Sequence, residues 1–273
     1  MSKEGRGVQS IEVGGRILQA LADAEQPLML RDLARQAGML PAQAHAYLVS
    51  YRKQNLVEQD ATAGRYRLGP FAIQLGIARL RSFDPIRMAG DLLSDLVEAT
   101  GFTIALAIWG THGPTVIQIR EGVDQIYTNT RPGTVYSLSR TATGRVFAAF
   151  LPDRVVRTAL EAENAEGLKT RRVGSNEILT PKSLRAIIAK VRRDGYATID
   201  PPPVPGVSGL SAPVFDHLGQ IQMAVTIIAP AVSADVSPQG PLVAKLLAFT
   251  NRLSSEMGCE GASAMSGAAP DED

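Results

Sequence analysis

One cysteine, Cys259, and three histidines are all that 273 residues offer of the side chains that commonly build disulfides and transition-metal centres. A lone cysteine cannot close an internal disulfide, and a metal site built on a cysteine cluster is excluded. Aromatic residues are sparse at 5%, with a single tryptophan, Trp109. No apolar run approaches the ~18 residues that suggest a membrane span. The polar start, MSKEGRGVQS, lacks the apolar stretch of a signal peptide. A cytoplasmic protein with no membrane partner is expected. Chemistry-bearing motifs are missing as well: there is no nucleophile elbow, phosphate loop or metal-ligand spacing. His45 falls in a helix, and His112 and His217 fall in turns. These absences point away from an enzyme and from any bound cofactor.

What is present begins at residues 30–57, LRDLARQAGMLPAQAHAYLVSYRKQNLV. Leu30, Leu33, Ala34 and Ala37 fall at i, i+3, i+4 and i+7, one stripe of a helix. Gly38 suits the left-handed backbone that ends such a helix. From Pro41 the stripe resumes at Ala44, Tyr47, Leu48 and Tyr51, leaving Ala42, Gln43, His45, Ala46, Val49, Ser50, Arg52 and Lys53 mainly on the other side. A helix–turn–helix whose second helix has a small, polar N-terminal face is the shape that enters a DNA major groove.

Residues 57–60 and 65–69 then flank a small-residue turn containing Gly64, which predicts a β-hairpin. Strand alternation places Arg65 and Arg67 on one face, Tyr66 and Leu68 on the other. A basic hairpin after a helix–turn–helix makes a winged helix. Residues 8–24 are the expected first helix, with Ile11, Ile17, Leu18 and Leu21 available for its core. The net charge of +1 is divided: residues 1–83 carry eleven Lys/Arg against seven Asp/Glu, and the rest carry 17 against 20. A basic module tied to a slightly acidic one fits a DNA reader joined to a second function.

Beyond it, residues 71–83 read as a connecting helix with a stripe of Phe71, Leu75, Ala78 and Leu80. Asp84-Pro85 opens a helix over 86–100. Strands are expected at 103–109, 115–121 and 126–130, and helices at 142–150, 154–162 and 181–193, the last capped by Thr180. A proline-rich loop over 200–209 precedes strands at 210–215 and 220–229, and a helix over 238–257 closes the order. Hairpin-linked strands grouped around helices indicate an α+β domain with an antiparallel sheet. Residues 258–273 lack apolar content and are expected to be disordered. The expected organisation is therefore 8–70, 71–84, 85–257 and a tail at 258–273.

Six segments in order, VQSIEVGGRILQAL, LRDLARQAGMLPAQAHAYL, LVEQDATAGRYRLGP, SLSRTATGRVFAAFLP, RRDGYA and LSAPVFDHLGQIQMAVTI, resemble the IclR family of bacterial transcription regulators over nearly the full length. The resemblance implies a winged helix-turn-helix, a linker helix that pairs subunits, and an effector-binding domain with a curved antiparallel sheet. It also implies a homodimer or homotetramer on double-stranded operator DNA, controlled by a small organic effector. A dimeric reader implies a pseudo-palindromic operator with half-sites about one helical turn, or a multiple, apart. The alternative is a metabolite-binding protein or enzyme without DNA activity.

For DNA the candidates are Ala42, Gln43 and Ala46, since Gln pairs with adenine and alanine meets the thymine methyl. His45 matches a position where the family often has histidine, and either joins them or packs against the helix trio. Arg52, Lys53, Arg65 and Arg67 are phosphate candidates. For the effector the resemblance points to Thr141, Ala142, Thr143 and Gly144, where a loop entering a helix presents backbone N–H groups to an anion. Ala105, Ala107 and Trp109 share a strand face, with Leu210, Val225 and Ile227 as opposing walls and Gly209 and Ser211 beside them.

The sequence departs from the family at Ile199, Pro202 and Gly209, where acidic and small polar residues are usual, and at Ile228, where many members carry a hydroxyl. Thr226 is kept. Fewer polar groups lower the penalty for burying apolar surface and remove partners for a small polar acid. The expected effector is therefore relatively apolar, aromatic or acyl.

Overall fold

A computed structural model describes residues 7–82, 84–123, 130–167, 181–199 and 204–259. They form two compact units, Met1–Asp84 and Pro85–Asp273. The first holds α1 (Gln9–Ala22), α2 (Leu30–Gln36), α3 (Pro41–Lys53), β1 (Val57–Gln59), β2 (Tyr66–Leu68) and α4 (Pro70–Ser82). The expected helical stripes make its core: Ile17 and Leu21 meet Leu33, Ala34, Ala44 and Leu48, closed by Val57 and Tyr66. Gly38 sits at φ +64°, turning the chain after α2. Leu28 exchanges backbone hydrogen bonds with Tyr66 at 3.0 and 2.7 Å, adding a third edge to the β1–β2 hairpin.

Two expectations fail here. Ile11 lies beyond the reach of the small core and is 71% exposed. On α4 the apolar surface is broader than a narrow stripe, for Ile73 and Ile77 are exposed along with Phe71 and Leu75.

The second unit holds α5 (Pro85–Thr100), β3 (Thr103–Gly110), β4 (Gly113–Arg120), α6 (Ala142–Phe150), α7 (Asp153–Gly167), α8 (Pro181–Asp194), β5 (Ala197–Thr198), β6 (Val207–Phe215), β7 (Ile221–Pro230) and α9 (Pro241–Glu256). Five strands pair in the order β4-β3-β7-β6-β5, and every pairing is antiparallel. The expected strand over 126–130 and the Thr180 cap fall largely or wholly outside the described residues, and Thr130 itself is not in a strand. Helix α9 starts later than the sequence suggests. Asp235 accepts from the Ser237 amide, Gly240 closes a turn onto the Ser237 carbonyl, and Pro241 then takes the first helical position. Cys259, expected in a disordered tail, is instead buried against a core that includes Phe215 and Ile221, and the tail beyond it lies outside the described residues.

Register divides the sheet into two faces. Ala105, Thr226 and Ser211 lie directly opposite one another across β3, β7 and β6, so they share a face. That face is covered by α6, whose Ala142, Val146 and Phe147 pack with Ala107, Ala197 and Val191 of α8. Ile104, Ile227 and Leu210 form the alternate row, with Leu106, Val225 and Ala212 beside it. Helices α5 and α9 cover this other face. Gly90 of α5 touches the side chain of Gln118, the partner of Leu106, so closely that a Cβ would sit 2.1 Å from its Oε1.

Helix α6 is held by its own first turn. Thr141 is the N-cap, its Oγ1 accepting from the Gly144 amide at 2.9 Å. A Cβ at Gly144 would lie 2.2 Å from the Ser137 carbonyl oxygen and 2.4 Å from that of Leu138. These are backbone atoms and cannot swing aside. Gly144→Ala is therefore expected to destabilise the protein by about 1–3 kcal/mol, the usual cost of overpacking. A lowered denaturant midpoint at unchanged slope is the measurement that checks it.

Candidate nucleic-acid interface and effector site

The exposed face of α3 is broad because its buried stripe is narrow. Ala44 and Leu48 are buried, while Ala42, Gln43, His45 and Ala46 are all exposed. His45 thus belongs to the exposed face and does not pack into the helix trio. Arg52 and Lys53 at the end of α3 and Arg65 and Arg67 on the wing are exposed too. None of the three arginines is idle. Arg52 donates to Gln59 Oε1 at 3.0 Å, Arg65 to the Pro27 carbonyl at 3.1 Å, and Arg67 pairs with Glu58 across the hairpin. The turn itself is tied by Asp60, whose carboxylate accepts from Thr62 and Ala63 at 2.8 and 2.6 Å. Those backbone donors hold its carboxyl below the usual range. The result is a fixed, basic wing beside an exposed helix.

In the second unit, the structure brings only some of the expected effector residues together. Ala105, Ala107, Ala142, Thr143, Gly144 and Ser211 are buried where α6 meets the sheet. Gly209 faces α6, with 3.7 Å between the Ala142 Cβ and the place its own Cβ would occupy. Leu210, Val225 and Ile227 are not walls of that site. They sit one residue out of phase with Ser211 and Thr226, and a one-residue offset turns a strand side chain to the opposite face. They pack beneath the α5 and α9 layer.

Three buried hydroxyls form a chain at this seam. Thr226 Oγ1 donates to Ser211 Oγ at 2.9 Å, so its single proton is spent and the 2.7 Å contact with Thr143 must be donated by Thr143. Cations gather at the loop entering α6. Arg145 donates to the carbonyls of Ser139 and Thr198, both at 3.1 Å, and burial pulls its guanidinium below its ordinary pKa. Arg140 Nε is buried with no hydrogen-bond partner among the described residues. From α7, Glu163 accepts from Ser137 Oγ, the Leu138 amide, and both the amide and hydroxyl of Ser139. Reading the sequence missed Arg140 and Glu163. Glu163 gave no signal, since it stands 24 to 26 residues from its partners and reads as a solvated charge on an amphipathic helix.

A winged helix joined to a separate α+β unit defines the class: a DNA-binding regulator with an effector-binding domain. Comparison with known proteins makes this specific. Residues 10–61 match the family model for the IclR helix-turn-helix domain, and residues 77–255 match that for the bacterial transcriptional regulator IclR C-terminal domain. The chain is 27% identical over 214 residues to the glycerol operon regulatory protein of Streptomyces coelicolor, covering 78% of this chain and 81% of that protein. It is 24% identical to the transcriptional repressor IclR of Escherichia coli over 225 residues, 82% of this chain and 80% of the repressor. The crystal structure of Pseudomonas aeruginosa HmgR is similar, with a TM-score of 0.79 at 35% identity, covering 93% of this chain and all of that one. The chain belongs to the IclR family of transcription regulators and is not an enzyme. No helix among the described residues is long and apolar enough to cross a membrane.

The hydroxyl chain has a measurable cost of removal. Thr226→Val keeps the shape but strips Thr143 of its acceptor and Ser211 of its donor, leaving buried polar atoms unpaired. A loss of about 1–3 kcal/mol is expected, read by chemical denaturation. Ser211→Ala, at the end of the chain, is expected to cost less.

Proposed function

We propose that this regulator binds a pseudo-palindromic operator as a homodimer or homotetramer and responds to a relatively apolar organic effector, aromatic or acyl. In this reading residues 8–70 contact DNA, 71–84 link the parts, 85–257 bind the effector, and the protein acts in the cytoplasm. The observation that carries the DNA part is the exposed row Ala42, Gln43, His45 and Ala46 over buried Ala44 and Leu48. Pairing of subunits is supported by the exposed apolar surface of α4, where Ile73 is 66% and Leu75 50% accessible.

The effector part rests on what surrounds the start of α6. Thr141 uses the Gly144 amide, while those of Ala142 and Thr143 have no acceptor among the described residues. They are suited to an anionic end. Around them the hydroxyls are spent on one another, and Ala105, Ala107, Val116 and Ile228 supply apolar surface. An effector with a single anionic group and an apolar body matches that balance better than a small polar acid.

Gel shift on the gene's own upstream region tests the first part. Gln43→Ala is expected to cost about 1–3 kcal/mol at the operator and to relax the base preference at one position. Arg65→Ala and Arg67→Ala are each expected to lower the salt slope by about one and to weaken all sequences alike. Unchanged affinity when Gln43, Arg65 and Arg67 are all replaced by alanine would overturn the interface.

The second part is tested by a thermal-shift screen of aromatic acids, acyl derivatives and glyoxylate-like acids, each repeated with operator present. A true effector at 100-fold saturation raises stability by about 2.7 kcal/mol and shifts operator binding. Tight binding of the small polar acids alone would overturn the apolar reading, and a footprint confined to one asymmetric half-site would overturn the dimer.

A further inference from the structure

Between the β3–β4 turn and α7 lies a cleft of about 650 Å³. That volume falls within the roughly 300–1,000 Å³ typical of small-molecule sites. Thr143, Thr226 and Ser211 do not line it, so it is distinct from the hydroxyl seam beneath α6. Its walls are chiefly apolar, from Trp109, Leu138, Val155 and Ala159, with Tyr136 beside them. The Trp109 ring is braced by Phe147 at 5.8 Å between centroids, which fixes the indole at the wall. Tyr136 donates its hydroxyl to Thr130 at 3.1 Å, so its polar end is already engaged.

The charges of the cleft are few and unequal. Arg154, on the first turn of α7, is exposed and makes no hydrogen bond or ion pair among the described residues. His112 lies on the opposite wall, in the β3–β4 turn. Glu163 also lines the cleft, but its carboxylate is committed to the loop over 137–139. A neutral ligand would leave the guanidinium unused, and a dianion would set its second charge near Glu163. One carboxylate on a flat apolar body uses what is present: a forked ion pair with Arg154 and ring contact with Trp109 and Tyr136.

The geometry points to a second small-molecule site in this cleft, taking an aromatic monocarboxylate between Trp109, Tyr136 and Arg154. It lies outside the effector reading above, sharing only Trp109 with it. Because Glu163 ties the same wall to the loop that enters α6, occupancy bears on how that loop is held.

Trp109 is the sole tryptophan, so its fluorescence reports on this cleft. Full-length protein titrated with benzoate and with phenylacetate is expected to give a saturable change. Arg154→Ala is expected to weaken binding about tenfold or more, the weight of a charged hydrogen-bonded pair. Arg157→Ala, exposed on the same helix but outside the cleft, serves as the charge control and is expected to retain the affinity. Calorimetry on the same proteins supplies a readout independent of the indole.

Absence of saturable binding by both methods overturns the proposal, as does an equal loss in Arg157→Ala. Loss in Thr226→Val with Arg154→Ala unaffected also overturns it, by moving the ligand to the hydroxyl seam and leaving the effector reading intact. Saturable, Arg154-dependent binding that survives a failed effector screen supports the cleft and removes only that other reading.

Discussion

Helix α6 sits so close to β6 and β7 that Ala142 meets the open side of Gly209 and Thr143 reaches the hydroxyl of Thr226, while the loop before it leaves Gly144 no room for a Cβ beside the Ser137 and Leu138 carbonyls. Much else in the second unit follows from that seating. A helix this close to a sheet needs small residues on both surfaces, and the sequence supplies Ala105, Ala107, Ala142, Gly209 and Ser211. It also needs its first turn held from outside, since the N-terminal amides have no partner within the helix. Anchors come from three distant places: Glu163 holds the residues leading in, Arg145 reaches the carbonyl of Thr198, and Thr226 takes the Thr143 hydroxyl. At this buried helix start the Ala142 and Thr143 amides alone are left without an acceptor among the described residues.

On the opposite face of the sheet the central side chains are apolar. Leu106, Leu210 and Ile227 are at most 1% exposed, and α5 and α9 lie over them. Phe215 of β6 is further fixed to α9 through its amide, which donates to Ser254 Oγ at 3.0 Å. Full burial of side chains this large contributes on the order of 1.5–3 kcal/mol each. The α6 side is buried as well, for Val146, Phe147, Val191 and Phe215 are at most 4% exposed. The three hydroxyls of Thr143, Ser211 and Thr226 are thus set within an apolar core and satisfied by one another.

Local patterns were readable and long-range ones were not. The spacing of Leu33, Ala34, Ala44 and Leu48 defines two helix faces without reference to any other part of the chain, and Gly38 marks the turn between them. The antiparallel class of the second unit was likewise legible from its hairpins. Which face Leu210, Val225 and Ile227 occupy was not, because it depends on register against β3, a strand over a hundred residues away. Strand β5 is two residues long and exists only through pairing with Leu210 and Ser211, so no propensity marks it. Arg140 and Glu163 look like ordinary surface charges in sequence. Only the fold shows that one has a buried nitrogen with no partner among the described residues and the other gathers four donors.

The wing raises a question of magnitude. Each of its arginines already has a partner, and the Arg67–Glu58 pair is exposed on both sides. Such a pair contributes roughly 0–1 kcal/mol, less than the counterion release that accompanies each phosphate neutralised. In the proposed interface, exchange of Glu58, Gln59 and the Pro27 carbonyl for phosphate oxygens is therefore favourable at low salt and nearly balanced as salt rises. Side chains already restrained by these partners lose less conformational entropy on such an exchange. In the proposed interface a wing arranged in this way does not distinguish one duplex from another. On that reading discrimination falls to the exposed groups of α3, among which Gln43 alone offers both a donor and an acceptor on a neutral amide.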